Sequence, residues 1–342
     1  MQYIESSQLF ELKKRNIPII DVRSPSEYVK GHIPHAINIS LFNDEERAHI
    51  GITYKNKGKE EAIMEGLKIV GPKLTQFVED LKEFNNSDEI IVHCWRGGMR
   101  SSSMAWLYNL TGLKVYILKD GYKAYRNYVI KCLQEVNIKL CVLGGRTGSG
   151  KTQILHELAI FGEQIIDLEK LADHKGSAFG WIGRTMQVGT EQFENLLWEE
   201  LSNLDLSKDI WVENESRGIG IAQIPEQICL QIRNSSLFNL ELELEERLDI
   251  LVATYALDNS NDLILSFEKI RKKLGHLKTD QAIEFVKLNN FKEAARIALE
   301  YYDKTYDFGM LKREKNKVHI LKFEKFNKTI MASKLLEYKN KL

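Results

Sequence analysis

One octapeptide constrains this chain more than any other feature: Gly145-Arg146-Thr147-Gly148-Ser149-Gly150-Lys151-Thr152. It fits the pattern GxxxxGK[ST] in full. It follows an apolar, strand-like run at 139–143 and opens a segment of helical spacing at 151–161. A glycine-rich turn placed there directs its amides inward at a helix N-terminus, where peptide dipoles favour an anion. Gly145, Thr147, Gly148, Ser149 and Gly150 are then expected to cradle two phosphates. Lys151 reaches those phosphates, and Thr152 is placed to meet Mg²⁺. The pattern points to a phosphate-bearing ligand, the alternative being a degenerate loop that binds nothing. It does not specify ATP, because nothing nearby marks an adenine pocket.

The surrounding sequence fits an α/β domain with a parallel sheet. Residues 164–167 and 209–212 are further buried strands. Each ends in acids: Asp167 and Glu169 after the first, Glu213 and Glu215 after the second. Glu213 stands where a Walker-B acid would. From residue 240 onward the spacing is mostly helical, over 240–255, 262–274, 279–288 and 290–302. A strand at 317–323 and a last helix follow.

A second constellation lies upstream. Strand 89–93 runs into Cys94, and the loop His93-Cys94-Trp95-Arg96-Gly97-Gly98-Met99-Arg100-Ser101 leads into a helix at 101–110. Inward amides and a helix N-terminus stabilise a thiolate on Cys94, with Arg96 and Arg100 adding cationic donors. A thiolate of that kind attacks sulfur, selenium or phosphorus. The alternative is a buried structural cysteine. The spacing Cys94-x5-Arg100 also fits a phosphatase loop, in which the arginine clamps phosphate. Strands at 17–22 and 114–118, a short helix beginning at 26–30, and helix with loop over 43–83 complete this half.

With 342 residues the chain suits two domains, 1–134 and 135–342, with 240–315 as a helical subdomain. The net charge is zero overall but unevenly spread: +2 over residues 1–137, −11 over 138–265 and +9 over 266–342. The basic C-terminal quarter suits an anionic partner such as nucleic acid, or simply a set of solvated helix faces. Four scattered cysteines, Cys94, Cys132, Cys141 and Cys229, form no CxxC pair or Cys/His cluster. No structural metal is expected, and a reducing cytoplasm is. No apolar run approaches the ~20 residues of a membrane span, and residues 1–10 lack a secretory pattern.

The segments Asp21-Val22-Arg23, Glu27-Tyr28 and Gly31-His32-Ile33-Pro34-His35-Ala36-Ile37-Asn38 resemble the N-terminal signature of rhodanese domains. With the cysteine loop, that likeness covers about residues 1–130. Asp21, Arg23 and His32 are expected to pin the loops that frame the site. The fusion of this half to the phosphate loop closely resembles the bacterial tRNA 2-selenouridine synthases. The likeness includes Gly66-Leu67, Gly71-Pro72-Lys73-Leu74, Gly121-Tyr122-Lys123-Ala124-Tyr125-Arg126 and Asp167-Leu168-Glu169. It continues through Lys175-Gly176-Ser177-Ala178-Phe179-Gly180, Phe193-Glu194-Asn195 and Val212-Glu213-Asn214-Glu215-Ser216-Arg217. It spans residues 5–220. The chain departs from the family at Asp120, where glycine is usual, and at Ala178, where a hydroxyl is usual.

The resemblance implies an N-terminal rhodanese-like domain and a P-loop NTPase-like parallel-sheet domain with a mostly helical C-terminal extension. It implies a tRNA-modifying enzyme acting on wobble 2-thiouridine. Geranyl diphosphate would alkylate the sulfur, and selenophosphate, from its own supply enzyme, would then bring selenium. On that reading Cys94, Arg96 and Arg100 are catalytic. The ligand is held by the phosphate loop with Asp167, Glu213 and Arg217. The competing readings are an ATP-dependent tRNA sulfurtransferase, whose pyrophosphatase signature is not visible here, a rhodanese-related phosphatase, and a non-catalytic P-loop binding protein. Trp181, Trp198, Trp211, Phe179 and Phe193 are either core or prenyl pocket.

Overall fold

The apolar runs become the central strands of two parallel sheets. The computed structural model describes residues 1–85, 87–177, 179–182, 187–255 and 260–342. It divides into two units. One is Met1–Cys132 with Glu194–Ser202; the other is Leu133–Phe193 with Asn203–Leu342.

The first unit contains β1 (Gln2–Ile4), β2 (Ile19–Asp21), β3 (Ile37–Asn38), β4 (Glu89–His93) and β5 (Lys114–Leu118). They pair in the order β1-β5-β4-β2-β3, all parallel. A parallel sheet is covered on both faces, so its inner strands are apolar throughout. Ile90, Ile91 and Val92 of β4 are accordingly fully buried, and Ile90 and Val92 share a core with Val22, Phe77, Leu81, Met104 and Tyr108. The register sets Asp21 of β2 beside His93 of β4. Cys94 therefore leaves the sheet at the carboxyl end of its strands, where ligand crevices of parallel sheets form. Residues between β3 and β4 fold into helices Asp44–Lys57, Lys59–Val70 and Leu74–Phe84.

The segment Glu194–Ser202, distant in sequence, is fastened to this unit by charge. Lys13 Nζ lies 2.6 Å from Glu199 Oε2. Arg126 donates to Asn195 Oδ1 at 2.7 Å and to Glu194 Oε2 at 2.6 Å. Fully buried Asn195 in turn donates to the His32 carbonyl and to Tyr122 Oη, each at 2.9 Å. Two of the motifs that carried the family likeness, at 121–126 and 193–195, thus meet.

The second unit contains β6 (Lys139–Gly145), β7 (Gln164–Ile166), β8 (Asp209–Glu213), the small antiparallel pair β9 (Gly218–Ile219) and β10 (Ala222–Gln223), β11 (Ser236–Leu242) and β12 (Val318–Phe323). The main sheet runs β12-β11-β6-β8-β7, all parallel. Helices Leu244–Tyr255, Ser260–Leu274, His276–Lys287 and Phe291–Met310 are inserted between β11 and β12. The helix expected from residue 240 starts instead at Leu244. Residues 240–242 stay extended because β11 is bonded on both sides: Leu240 faces Gly145 of β6 and Leu321 of β12. A ladder on each edge outweighs the helical preference of a Leu/Glu-rich stretch.

Among the described residues no helix is long and apolar enough to cross a membrane. Ala178, one of the two departures from the family pattern, lies outside the described residues.

Candidate functional site

Cys94 is 3% exposed at the end of β4. Its Sγ is 3.3 Å from Ser101 Oγ, which also donates to the Gly98 carbonyl at 2.9 Å. The loop is held by the turn after β5. Tyr122 N donates to the Cys94 carbonyl at 2.8 Å, and Lys123 N to that of Trp95 at 3.0 Å. That approach requires Gly121, which has φ +61° and would place a Cβ 2.3 Å from the Cys94 carbonyl oxygen. Asp120, beside it, takes φ +54°. Glycine suits that left-handed backbone, and aspartate is one of the few other residues that tolerate it.

The buried ion pair Asp21–Arg23 braces the same edge, with Arg23 Nη2 2.6 Å from Asp21 Oδ2 and 2.7 Å from the Gly31 carbonyl. The Arg23 guanidinium lies 3.9 Å from the Tyr122 ring centre. Burial opposes ionisation of Asp21, but His93 and Arg23 outweigh it and hold its carboxyl below the ordinary value. Burial lowers His93 against the pull of Asp21, which favours its neutral form. His32 Nδ1 lies 3.0 Å from the Tyr28 carbonyl, and the imidazole stacks on the Tyr28 ring.

Of the two arginines near Cys94, Arg96 is exposed. Arg100 is engaged by Glu27, with Nη1 2.6 Å from Oε2. Burial raises Glu27, but Arg100 outweighs it and lowers its carboxyl overall. No local pattern marks this partner, which comes from a helix 73 residues away.

The phosphate loop joins β6 to helix Lys151–Ile160. The inserted helices hold it from outside. Arg247 donates to the Thr147 carbonyl at 2.9 Å and pairs with Asp303, Gly145 N donates to Tyr306 Oη at 2.7 Å, and Arg146 pairs with Asp307. Lys151 Nζ donates to the Gly145 carbonyl at 3.1 Å. Thr152 Oγ1 donates to Glu213 Oε1 at 2.6 Å and lies 3.2 Å from Glu169 Oε2. Asp167 caps the next helix through Lys170 N and meets His156 Nε2 at 2.6 Å. Among the described residues, Ser149 Oγ and Glu213 Oε2 are buried and find no hydrogen-bond partner.

Glu169, Glu213 and Glu215 therefore crowd Lys151 and Thr152. Burial, reinforced by neighbouring carboxylates, pushes Glu213 up to about 8. It pushes Glu169 and Glu215 up to about 7, against the opposing pull of Lys151. Oxygen donors of this kind suit Mg²⁺. Among the described residues, however, no group of three or more His, Cys, Asp or Glu is placed to hold a metal ion. Cys141 and Cys229 are buried, and burial pushes both thiols up, Cys141 to about 12.

A cavity of about 1160 Å³ opens over the loop, lined by Gly145, Thr147–Gln153, Asp167, Glu169, Glu215 and exposed Arg217, among others. Thr147, Ser177, Leu251 and Tyr302 also border an apolar recess of about 60 Å³ walled by Phe179, Leu263, Phe267 and Ala298. Of the five aromatic residues singled out in the sequence, Phe179 lines this recess. Trp211 and Phe193 are fully buried in the core, Trp198 packs edge-on against Phe10, and Trp181 Nε1 donates to Ser266.

A rhodanese-like domain model matches residues 7–128, and a tRNA 2-selenouridine synthase AAA domain model matches residues 138–335. The chain belongs to the tRNA 2-selenouridine synthase family. The synthase of Hydrogenovibrio crunogenus is 34% identical over 91% of this chain and 94% of its own length. That of Bdellovibrio bacteriovorus is 39% identical over 76% and 70%, and that of Sulfurovum sp. 32% identical over 93% and 94%. A solved N-terminal domain from Clostridium difficile 630 is 41% identical over 37% of this chain and 98% of its own, with a TM-score of 0.35. Members of this family are enzymes, and both of its domains are present here in the family order.

Proposed function

We propose that this enzyme converts wobble 2-thiouridine of tRNA to 2-selenouridine in two steps. In the first, geranyl diphosphate bound at the phosphate loop alkylates the thiocarbonyl sulfur. In the second, selenophosphate held in the loop around Cys94 attacks C2 through its selenium and expels geranylthiolate, and hydrolysis of the P–Se bond releases phosphate and leaves 2-selenouridine. Alkylation turns a poor leaving group into a good one, so the first step prepares the second.

The observation that supports this reading is that the anion cradle and an apolar recess lie side by side, with Thr147, Ser177, Leu251 and Tyr302 lining both. A ligand with a diphosphate head and a hydrocarbon tail matches both. At the ~10–15 Å³ that one water-sized group needs, 60 Å³ takes part of the ten-carbon chain. The rest would lie along the wall shared by Leu251 and Tyr302. In this scheme the loop amides and Lys151 bind the diphosphate, and Thr152 with Glu213 fixes the first turn of the helix. The anion-attracting loop around Cys94 holds the selenium donor, while Asp21, Arg23 and His93 keep that loop in shape.

The test is mass spectrometry of nucleosides from 2-thiouridine tRNA incubated with the protein, geranyl diphosphate and selenophosphate. S-geranyl-2-thiouridine should appear first and 2-selenouridine at its expense. ATP-dependent change in the tRNA without geranyl diphosphate would overturn the reading.

A further inference from the structure

The phosphate-loop cavity is larger than one prenyl diphosphate needs. At the ~10–15 Å³ that a water-sized group takes, the about twenty non-hydrogen atoms of geranyl diphosphate fill only part of it. Its volume of about 1160 Å³ is several-fold greater. An enzyme that does chemistry on a base draws that nucleotide out of its stack and into the site. The cavity has room for one.

Part of its wall is built from three segments: residues 214–217 after β8, the end of helix Glu226–Asn234, and residues 312–314 after helix Phe291–Met310. Arg313 ties them together. Its Nη2 donates to Asn214 Oδ1 at 2.8 Å and to the Ile232 carbonyl at 3.0 Å, and its Nη1 to the Ser235 carbonyl at 3.2 Å. The Ile232 carbonyl belongs to the last turn of its helix, where unpaired carbonyls favour a cation. Arg313 is thereby spent on the fold. Three other cations, Arg217, Arg233 and Lys312, line the same wall and are exposed. Among the described residues none of the three has a carboxylate partner. The acids of this wall are turned elsewhere. Glu314 is taken by Lys317 Nζ, 3.1 Å away, and Glu215 converges with Glu169 on Gly176.

The guanidinium groups share one neighbourhood. Burial raises the Cys229 thiol of this wall, and Arg233 and Arg217 both oppose the rise. Residues 138–265 carry a net charge of −11, yet Arg217 and Arg233 stand in that acidic segment without acids to balance them. Unbalanced like charges on one concave wall repel each other and attract anions into the cavity. We propose that Arg217, Arg233 and Lys312 bind backbone phosphates of the tRNA anticodon loop and so hold the wobble nucleotide in the phosphate-loop cavity. The assignment rests on the reading that the sulfur is alkylated there. It gives Arg217 to the RNA, whereas the family likeness gave it to the ligand of the phosphate loop. Single-stranded RNA suits such a wall, because its bases can be splayed out while cations follow the backbone.

The experiment measures binding of a fluorescent 2-thiouridine anticodon stem-loop over a range of salt concentrations. It compares wild type with Arg217→Gln, Arg233→Gln, Lys312→Gln and the triple variant. Binding of inorganic pyrophosphate is followed in parallel, and geranylation gives a KM for the stem-loop and another for geranyl diphosphate. The triple variant should flatten the log–log salt slope by about 2, at ~0.7 for each single-stranded phosphate no longer neutralised. Its RNA affinity should fall on the order of 10²-fold near 0.1 M salt, by the same relation. The KM for the stem-loop should rise in step. Pyrophosphate affinity and the KM for geranyl diphosphate should stay as in wild type. Wild-type RNA affinity and slope in the triple variant would overturn the assignment. So would a loss of pyrophosphate affinity, which would give these cations to the prenyl donor. A wild type that binds the stem-loop but makes no geranylated product would overturn the transfer reading alone, and the binding measurements would still decide what the wall holds.

Discussion

Thr152 Oγ1 donates a hydrogen bond to Glu213 Oε1 at 2.6 Å, at the start of the helix that follows the phosphate loop. Glu213 is fully buried, and its second oxygen has no partner among the described residues. The carboxyl is therefore costly to ionise, and its pKa is pushed up to about 8 by burial and then by Glu169.

The stability of the ligand-free protein should depend on that group. A carboxyl with a raised folded-state pKa is fully protonated, in fold and unfolded chain alike, well below about 4.5. As pH rises from there to about 8, the unfolded chain loses the proton and the fold does not, so stability falls. Glu213→Gln should flatten that fall and raise the melting temperature at pH 8. At this size each kcal/mol is worth about 2–4 °C. Thermal unfolding at pH 6 and pH 8 checks it; an unchanged pH dependence would remove Glu213 as the cause.

Asn195 should matter to the first unit far more than its distant place in the sequence suggests. It is fully buried and serves the His32 carbonyl, Tyr122 Oη and Arg126 together. Asn195→Leu leaves three groups short of a partner and should cost about 2–4 kcal/mol. Urea unfolding should show a lower midpoint with an unchanged slope if the loss is purely of stability.

Much of this was legible from residue patterns, for identifiable reasons. The two chemical loops each sit between an apolar strand and a helix, and the apolar runs of β4, β5, β6 and β8 have the continuous character of buried parallel strands. The strand β11 was not legible, because its last residues share a Leu/Glu composition with the helix after it. Pairing to β6 and β12 decides between the two, and pairing is not written locally. The same limit hid the partner of Arg100, the fastening of Arg126 by Glu194 and Asn195, and the convergence of Glu169 with Glu215. Each joins residues far apart in the chain.

Cys94→Ser should abolish selenium incorporation and leave S-geranylation largely intact. In the two-step scheme the alkylation takes place at the phosphate loop, whereas the selenium donor is held in the loop that Cys94 opens. Nucleoside mass spectrometry after each step reads the two products separately. Equal loss of both in a folded variant would refute the division between the two loops.

Binding of tRNA should fall steeply with salt, and the structure refines which cations matter. Arg271 is occupied by Glu268 and Asp280, and Arg313 by Asn214 and the carbonyls of Ile232, Arg233 and Ser235. Lys272, Lys273 and Lys312 are the better candidates in the basic C-terminal part. Reversing their charge should flatten the log–log salt slope by about 0.7–0.9 for each phosphate no longer neutralised. An unchanged slope would take that surface out of the tRNA interface.

Lys151 tests the central claim most directly, because the two-step scheme gives the phosphate loop only the first step. Its amine would neutralise charge growing on the departing diphosphate, an interaction stronger in the transition state than in the ground state. Losing such a preorganised charge costs on the order of 10²–10³ in rate. The measurement is nucleoside mass spectrometry of Lys151→Ala supplied either with 2-thiouridine tRNA and geranyl diphosphate or with pre-geranylated tRNA and selenophosphate. The scheme predicts a severe loss of geranylation and substantial retention of selenation. A folded Lys151→Ala protein that geranylates normally, or that cannot selenate pre-geranylated tRNA, would contradict it.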